Sequence, residues 1–141
     1  MTRYLILPLG GIGQRFIDAG YKTYKPFLKV SKKNRVIDKI VSNFPSKKTK
    51  VIIIGNEKKF QLIKSSFKKN TLFIKIKNHK YGPLYSIFLA NKELKRIIKD
   101  RQFFIVYSDI NWKWNFKKVK KYILKKKKVK FSHKGFHPHL E

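Results

Sequence analysis

With 141 residues, 42% of them hydrophobic and 15% aromatic, the chain is long and apolar enough for one domain with a buried core rather than a disordered segment. Its 36 Lys+Arg against 7 Asp+Glu give a net charge of +29, which favours a polyanionic partner: nucleic acid, an anionic membrane or a nucleotide. Cysteine is absent, excluding disulfides, thiolate metal sites and cysteine nucleophiles. No apolar stretch has the length of a membrane helix and no signal peptide is read, so a cytoplasmic protein without membrane association is expected.

The charge has a second source. Only five basic residues are arginine (Arg3, Arg15, Arg35, Arg96, Arg101), only two residues are alanine, and Lys, Ile, Phe and Asn abound. AT-rich codons produce that profile whatever the function, although they do not explain the shortage of acids. Nonspecific binding to nucleic acid at low salt is expected in either case.

In chain order, Tyr4–Leu9 reads as a buried strand that runs into Gly10-Gly11-Ile12-Gly13 and then Arg15. Val36, Ile37, Ile40, Val41 and Phe44 share a helical face. Val51–Ile54 is a continuous apolar strand before Gly55-Asn56. Phe60, Ile63 and Phe67 form the next helical stripe. Leu72–Ile76 is a more polar strand, expected nearer a sheet edge. Gly82-Pro83 opens a long helix, with Leu84, Ile87, Phe88, Leu94, Ile97 and Ile98 on one face. Phe103–Tyr107 is a third continuous apolar strand, ending in Ser108-Asp109. Phe116, Val119 and Ile123 make a last stripe, followed by the tract Lys125–Lys128 and a probable strand Val129–Phe131.

Continuous strands alternating with amphipathic helices predict an α/β fold: a Rossmann-like three-layer α/β/α sandwich with a mostly parallel sheet. No repeat or linker divides residues 1–141, so one domain is expected. The strand ends at Gly10-Gly11, Gly55-Asn56 and Ser108-Asp109 then fall on one face, where ligands bind in such sheets.

Three phosphate-binding loops compete for the first turn. A dinucleotide fingerprint needs a third glycine where Phe16 stands, and a P-loop needs Gly-Lys-Ser/Thr where Gly20-Tyr21-Lys22 stands. The third reading pairs Gly10-Gly11-x-Gly13-x-Arg15 with Lys25-Pro26. Glycines let backbone amides approach a triphosphate, Arg15 forks onto phosphate oxygens, and Lys25 adds a point charge on a segment stiffened by Pro26. Lys22 is a further candidate on the same loop.

These residues resemble the N-terminal signature of nucleotidyltransferases that activate sugar phosphates and other small phosphorylated compounds: L-x-G-G-x-G-x-R-(F/L), then K-P-(L/F)-(L/I)-x-V. The resemblance implies nucleotidyl transfer from an NTP to a small phosphorylated acceptor, a sugar phosphate or a phosphocholine-like compound, with release of pyrophosphate. It assigns the amides of Leu9, Gly10, Gly11 and Gly13 to nucleotide contact, Arg15 and Lys25 to the β- and γ-phosphates, Gly82 to the base side, and Asp109 to Mg²⁺. Asn78 and His79 are candidates beside the base. Asn111 and Asn115 stand where acids are expected, which weakens the metal set. The stretch Ile105–Phe116 and the ending Gly135-Phe136-His137-Pro138-His139 resemble a branch found with capsule and surface-polysaccharide genes. His133, His137 and His139 invite a zinc reading, but without a nearby Cys or acid other than Glu141 to complete four ligands a structural or substrate-facing role is expected instead, and Trp112, Trp114 and Tyr107 are expected to form an aromatic wall or a packing group.

The family pattern continues beyond this length with acceptor contacts and a second aspartate, so a C-terminally incomplete domain is expected. Completion by a second chain, a homo-oligomer, or nucleotide binding without turnover are the corresponding alternatives to an active enzyme. A nucleic-acid binder driven by charge is the third reading.

Overall fold

The computed structural model describes residues 2–67, 71–108 and 115–125. The elements in order are β1 (Arg3–Leu9), α1 (Gln14–Asp18), α2 (Val36–Ser42), β2 (Thr49–Asn56), α3 (Phe60–Ser65), β3 (Leu72–Ile76), α4 (Pro83–Ile98), β4 (Phe103–Ile105) and α5 (Phe116–Lys125). The four strands pair in parallel in the order β3-β2-β1-β4. The α/β architecture read from the sequence is therefore the observed one, and β3 lies at an edge as its polarity implied.

Alternation along the strands divides the core in two. Tyr4, Ile6, Ile52, Ile54, Ile74 and Ile76 point to one face and meet Ala90, Leu94 and Ile98 of α4. Leu5, Leu7, Leu9 and Ile53 point to the other and meet Ile37, Ile40 and Phe44 from α2 and its end, with Ile63 of α3. Each of the fully buried Ile and Leu side chains contributes about 1.5–3 kcal/mol by leaving water.

The face of α4 differs from expectation. Leu84 and Phe88 are 67% and 68% exposed, whereas Ser86 and Ala90 are buried. Ser86, Ala90, Leu94 and Ile98 recur every fourth residue and form the stripe that meets the sheet. Two small residues at its start bring the helix close to the strand ends, a preference that hydrophobicity alone does not register.

β4 differs too. A fully covered strand from Phe103 to Tyr107 was expected, but the ladder ends at Ile105, and Phe103 and Ile105 are 51% and 42% exposed. Tyr4 N–H donates to the Gln102 carbonyl and Val106 N–H to the Ile6 carbonyl. Even-numbered residues of β1 thus face β4, and the next even residue is Pro8. Proline has no N–H to continue the ladder. The strands part at that point.

The connections make this parting the topological switch of the sheet. From β1 the chain passes α2 and α3 to build β2 and β3 on one side; it then crosses the opposite face through α4 to place β4 on the other side of β1. A crevice at the carboxyl ends of the strands is the consequence.

Arg35 anchors the segment that leads into this crevice. Its Nε and Nη2 each lie 2.9 Å from the Asp38 carboxylate, Nη2 also donates to the Ser66 carbonyl at 3.0 Å, and the guanidinium covers the rings of Phe27 and Phe67. The 3-10 turn Lys25–Phe27 is thereby held against α2 and the end of α3. Probable strand Val129–Phe131 and the histidines of the ending lie outside the described residues.

Candidate functional site

A cleft of about 230 Å³ opens where β1 and β4 part. Leu9, Gly11 and Gly13 form its floor, Lys25 and Pro26 one wall, and Tyr107 and Ser108 the other. It is smaller than the ~300–1,000 Å³ of complete ligand pockets.

The loop that contributes Gly11 and Gly13 to the floor has N–H groups without partners among the described residues. Among the described residues, no hydrogen bond uses the N–H of Gly10, Gly11, Ile12 or Gly13. The carbonyls of the same loop are occupied. The Tyr24 hydroxyl donates to the Leu9 carbonyl and lies 3.2 Å from the Gly11 carbonyl, and Asn56 Nδ2 donates to the Gly10 carbonyl at 3.1 Å. Burial pushes the Tyr24 phenol above its usual range, so it stays a donor at any working pH. Asn56, 1% exposed, also accepts the Lys59 N–H through Oδ1 at 3.0 Å and so closes the turn that precedes α3.

The glycines serve different needs. Gly13 has φ 74° and Gly82 φ 82°, backbone conformations that glycine alone takes without strain. A Cβ on Gly11 or Gly13 would meet open space. At Gly10 a Cβ would lie 2.3 Å from Ser86 Oγ, 2.8 Å from Ile76 Cδ1 and 3.1 Å from His79 Nε2. Gly10 is what lets α4 pack against the end of β1.

Lys25 is half-buried, its Nζ 4.7 Å from the centre of the Phe16 ring, which ties the cation to the far side of the glycine loop. Arg15 is exposed on α1, outside the cleft lining. Its side chain has no hydrogen bond or ion pair among the described residues, whereas Arg3, Arg35 and Arg101 each bond to neighbouring side chains. Lys22 is exposed and does not line the cleft. Gly82 immediately precedes Pro83, which lines the cleft at the start of α4. Asp109, Asn111, Trp112 and Trp114 lie outside the described residues; Asp109 is the next residue after Ser108 of the cleft wall.

His79 does not stand free beside a ligand. It is buried, its Nε2 is 2.8 Å from Ser86 Oγ, and its Nδ1 lies 3.3 Å from the Tyr81 nitrogen. Because Nδ1 accepts from the Tyr81 N–H, Nε2 carries the ring proton and donates to Ser86. Desolvation holds its pKa below the usual histidine value. The unfolded chain therefore binds this proton first as pH falls, and stability declines from about pH 6.5 downward to the lowered folded value. We expect thermal melts to show that decline between pH 7 and pH 5. It should flatten in His79→Gln; an unchanged pH slope in that variant would exclude His79 as its source.

Sequence reading did not single out Tyr24, Pro8 or Pro83 as part of the site, and noted Asn56 only as a strand end. Tyr24 precedes Lys25 directly, but nothing in the local pattern tells that its hydroxyl reaches back across 15 residues to the Leu9 carbonyl.

Comparison with known proteins bears on the fold and the family. No curated protein matches the chain at a significant level. A nucleoside-diphosphate-sugar pyrophosphorylase from Vibrio cholerae RC9 has a similar fold, with a TM-score of 0.56 and 19% identity, over 74% of this chain and 47% of that one. The chain thus spans about half the length of that structure. The family model for nucleotidyl transferases matches residues 4–136, nearly the whole sequence, and the chain belongs to the nucleotidyl transferase family.

Proposed function

We propose that the cleft binds the phosphates of an NTP and that the protein transfers the nucleotidyl group to a small phosphorylated acceptor. A phosphate oxygen of the acceptor attacks the α-phosphorus in line, the bond from that phosphorus to the β-phosphate bridging oxygen breaks, and pyrophosphate leaves. The observation that carries this reading is the loop Gly10–Gly13, whose N–H groups have no partner among the described residues, beside Lys25 at the switch point of the sheet. The amides and Lys25 meet the charge that builds on the departing pyrophosphate, and Arg15 on the adjoining short helix swings its guanidinium onto the same oxygens.

Mg²⁺ is the metal the family implies. It takes one or two carboxylates and completes its shell with phosphate oxygens and water. Among the described residues no group of three or more His, Cys, Asp or Glu makes a closed cage, and Asp109, following Ser108, would supply the carboxylate. A divalent ion held there by Asp109 would offset charge on the reacting phosphates. The acceptor class, a sugar phosphate or phosphocholine-like compound, and a place in surface-polysaccharide synthesis rest on the resemblance of Ile105–Phe116 and the ending Gly135–His139. No helix among the described residues is long and apolar enough to cross a membrane.

The test is Mg²⁺-dependent pyrophosphate release from CTP, UTP, GTP and dTTP against a panel of sugar phosphates and phosphocholine. Release with one pair is the expected result. Nucleotide binding without release from any pair would reduce the protein to a binding module or to part of a two-chain enzyme. If neither an NTP nor pyrophosphate shifts the melting temperature, the nucleotide reading is lost. Tight binding of nucleic acid at physiological salt would then favour the charge-driven alternative.

A further inference from the structure

The cleft floor has a polarity that its own backbone does not enforce. Leu9 is held in the β1–β2 ladder opposite Gly55, but Gly10 and Gly11 have no Cβ, so rotating the peptide planes between Gly10 and Ile12 meets little steric resistance within the loop. One orientation turns N–H groups toward the cleft; the flipped one turns carbonyl oxygens there, and an anion would be repelled. Two buried side chains from other parts of the chain hold the first orientation. Tyr24, from the segment before Lys25, engages the Leu9 and Gly11 carbonyls, and Asn56, from the end of β2, engages that of Gly10. Three successive carbonyls are thus drawn back into the protein while the N–H groups of Gly10 to Gly13 remain without partners among the described residues.

We propose that Tyr24 and Asn56 are positioning residues for phosphate recognition: by tethering the Leu9, Gly10 and Gly11 carbonyls they keep the loop amides directed at the anion. This rests on the nucleotide reading of the cleft and deepens it. Tyr24 has one proton to share between two carbonyls, so its loss frees both at once. Asn56 links the loop to α3, since the same amide group that donates to Gly10 accepts from Lys59.

The experiment measures binding of inorganic pyrophosphate by calorimetry and by amide NMR, for the wild type, Tyr24→Phe and Asn56→Thr. Phenylalanine keeps the ring and removes the hydroxyl. Threonine shortens the side chain by one bond, which withdraws the amide donor from the Gly10 carbonyl, while its hydroxyl oxygen accepts from the Lys59 N–H in the turn before α3, with no change of charge. In the wild type, pyrophosphate is expected to shift the amide resonances of Gly10, Gly11 and Gly13. Each variant should bind pyrophosphate about three- to tenfold more weakly, the effect of one hydrogen bond. The glycine shifts should shrink, and the KM for NTP should rise with that of the acceptor unchanged. A merely structural role would lower the melting temperature without altering which amides respond. Folded variants that bind pyrophosphate as the wild type does would overturn the positioning role and leave nucleotidyl transfer standing. Wild-type shifts that bypass Gly10–Gly13 would overturn it even if both variants failed to fold. Absence of wild-type binding to pyrophosphate and to every NTP would remove the nucleotide reading itself.

Discussion

Gly10→Ala is expected to destabilise the protein by about 1–3 kcal/mol, the usual cost of forcing a methyl into a packed site. The backbone at Gly10 is not in the left-handed region, so the cost is steric rather than conformational. The added Cβ would sit 2.3 Å from Ser86 Oγ, a distance no real contact reaches. Ser86 is fully buried and bonded to His79, so turning its Oγ away from the added methyl breaks that bond. The start of α4 must therefore move away from β1, and the cleft wall at Pro83 moves with it. Ser86→Ala in the same chain removes the offending oxygen at the expense of the His79 bond. The double variant should recover part of the loss, giving a coupling of opposite sign to two independent defects. Urea unfolding of the four species measures this. A Gly10→Ala protein within about 0.5 kcal/mol of wild type would show that α4 does not press on the loop as described.

The second large effect falls on activity and leaves stability alone. Arg15 is exposed and its side chain has no bond among the described residues, so Arg15→Ala should change stability by no more than about 0.5 kcal/mol. Pyrophosphate release should drop about 10²- to 10³-fold, as expected when one donor to a charged transition state is removed. Arg15→Lys should restore only part of the rate, because an ammonium cannot fork onto two phosphate oxygens. Retention of full activity by Arg15→Ala would mean that Arg15 takes no part and that Lys25 and the amides carry the phosphate charge. The contrast with Gly10 is useful: one residue is closely packed, the other is a cation beside the loop whose side chain has no bond among the described residues.

Much of this protein is legible in one dimension. Apolar runs such as Val51–Ile54 announce buried strands, and Val36 to Phe44 announces a helix by its period, because burial on two faces or on one stripe leaves a direct trace in residue order. The residues of the proposed phosphate site, the glycine loop with Arg15 and Lys25-Pro26, are likewise local in sequence, since small residues and cations at those spacings are read without the fold. What the tertiary structure alone decided involves residues whose partners are distant in sequence. Pro8 ends the β1–β4 ladder only because the even positions of β1 face β4. Leu84 and Phe88 face outward because small Ser86 and Ala90 take the sheet-facing stripe. Tyr24 and Asn56 reach loop carbonyls 13 to 46 residues away. Local pattern records which side chains avoid water. It does not record which backbone group a buried hydroxyl or amide will meet, because that depends on how crossovers bring the strand ends together.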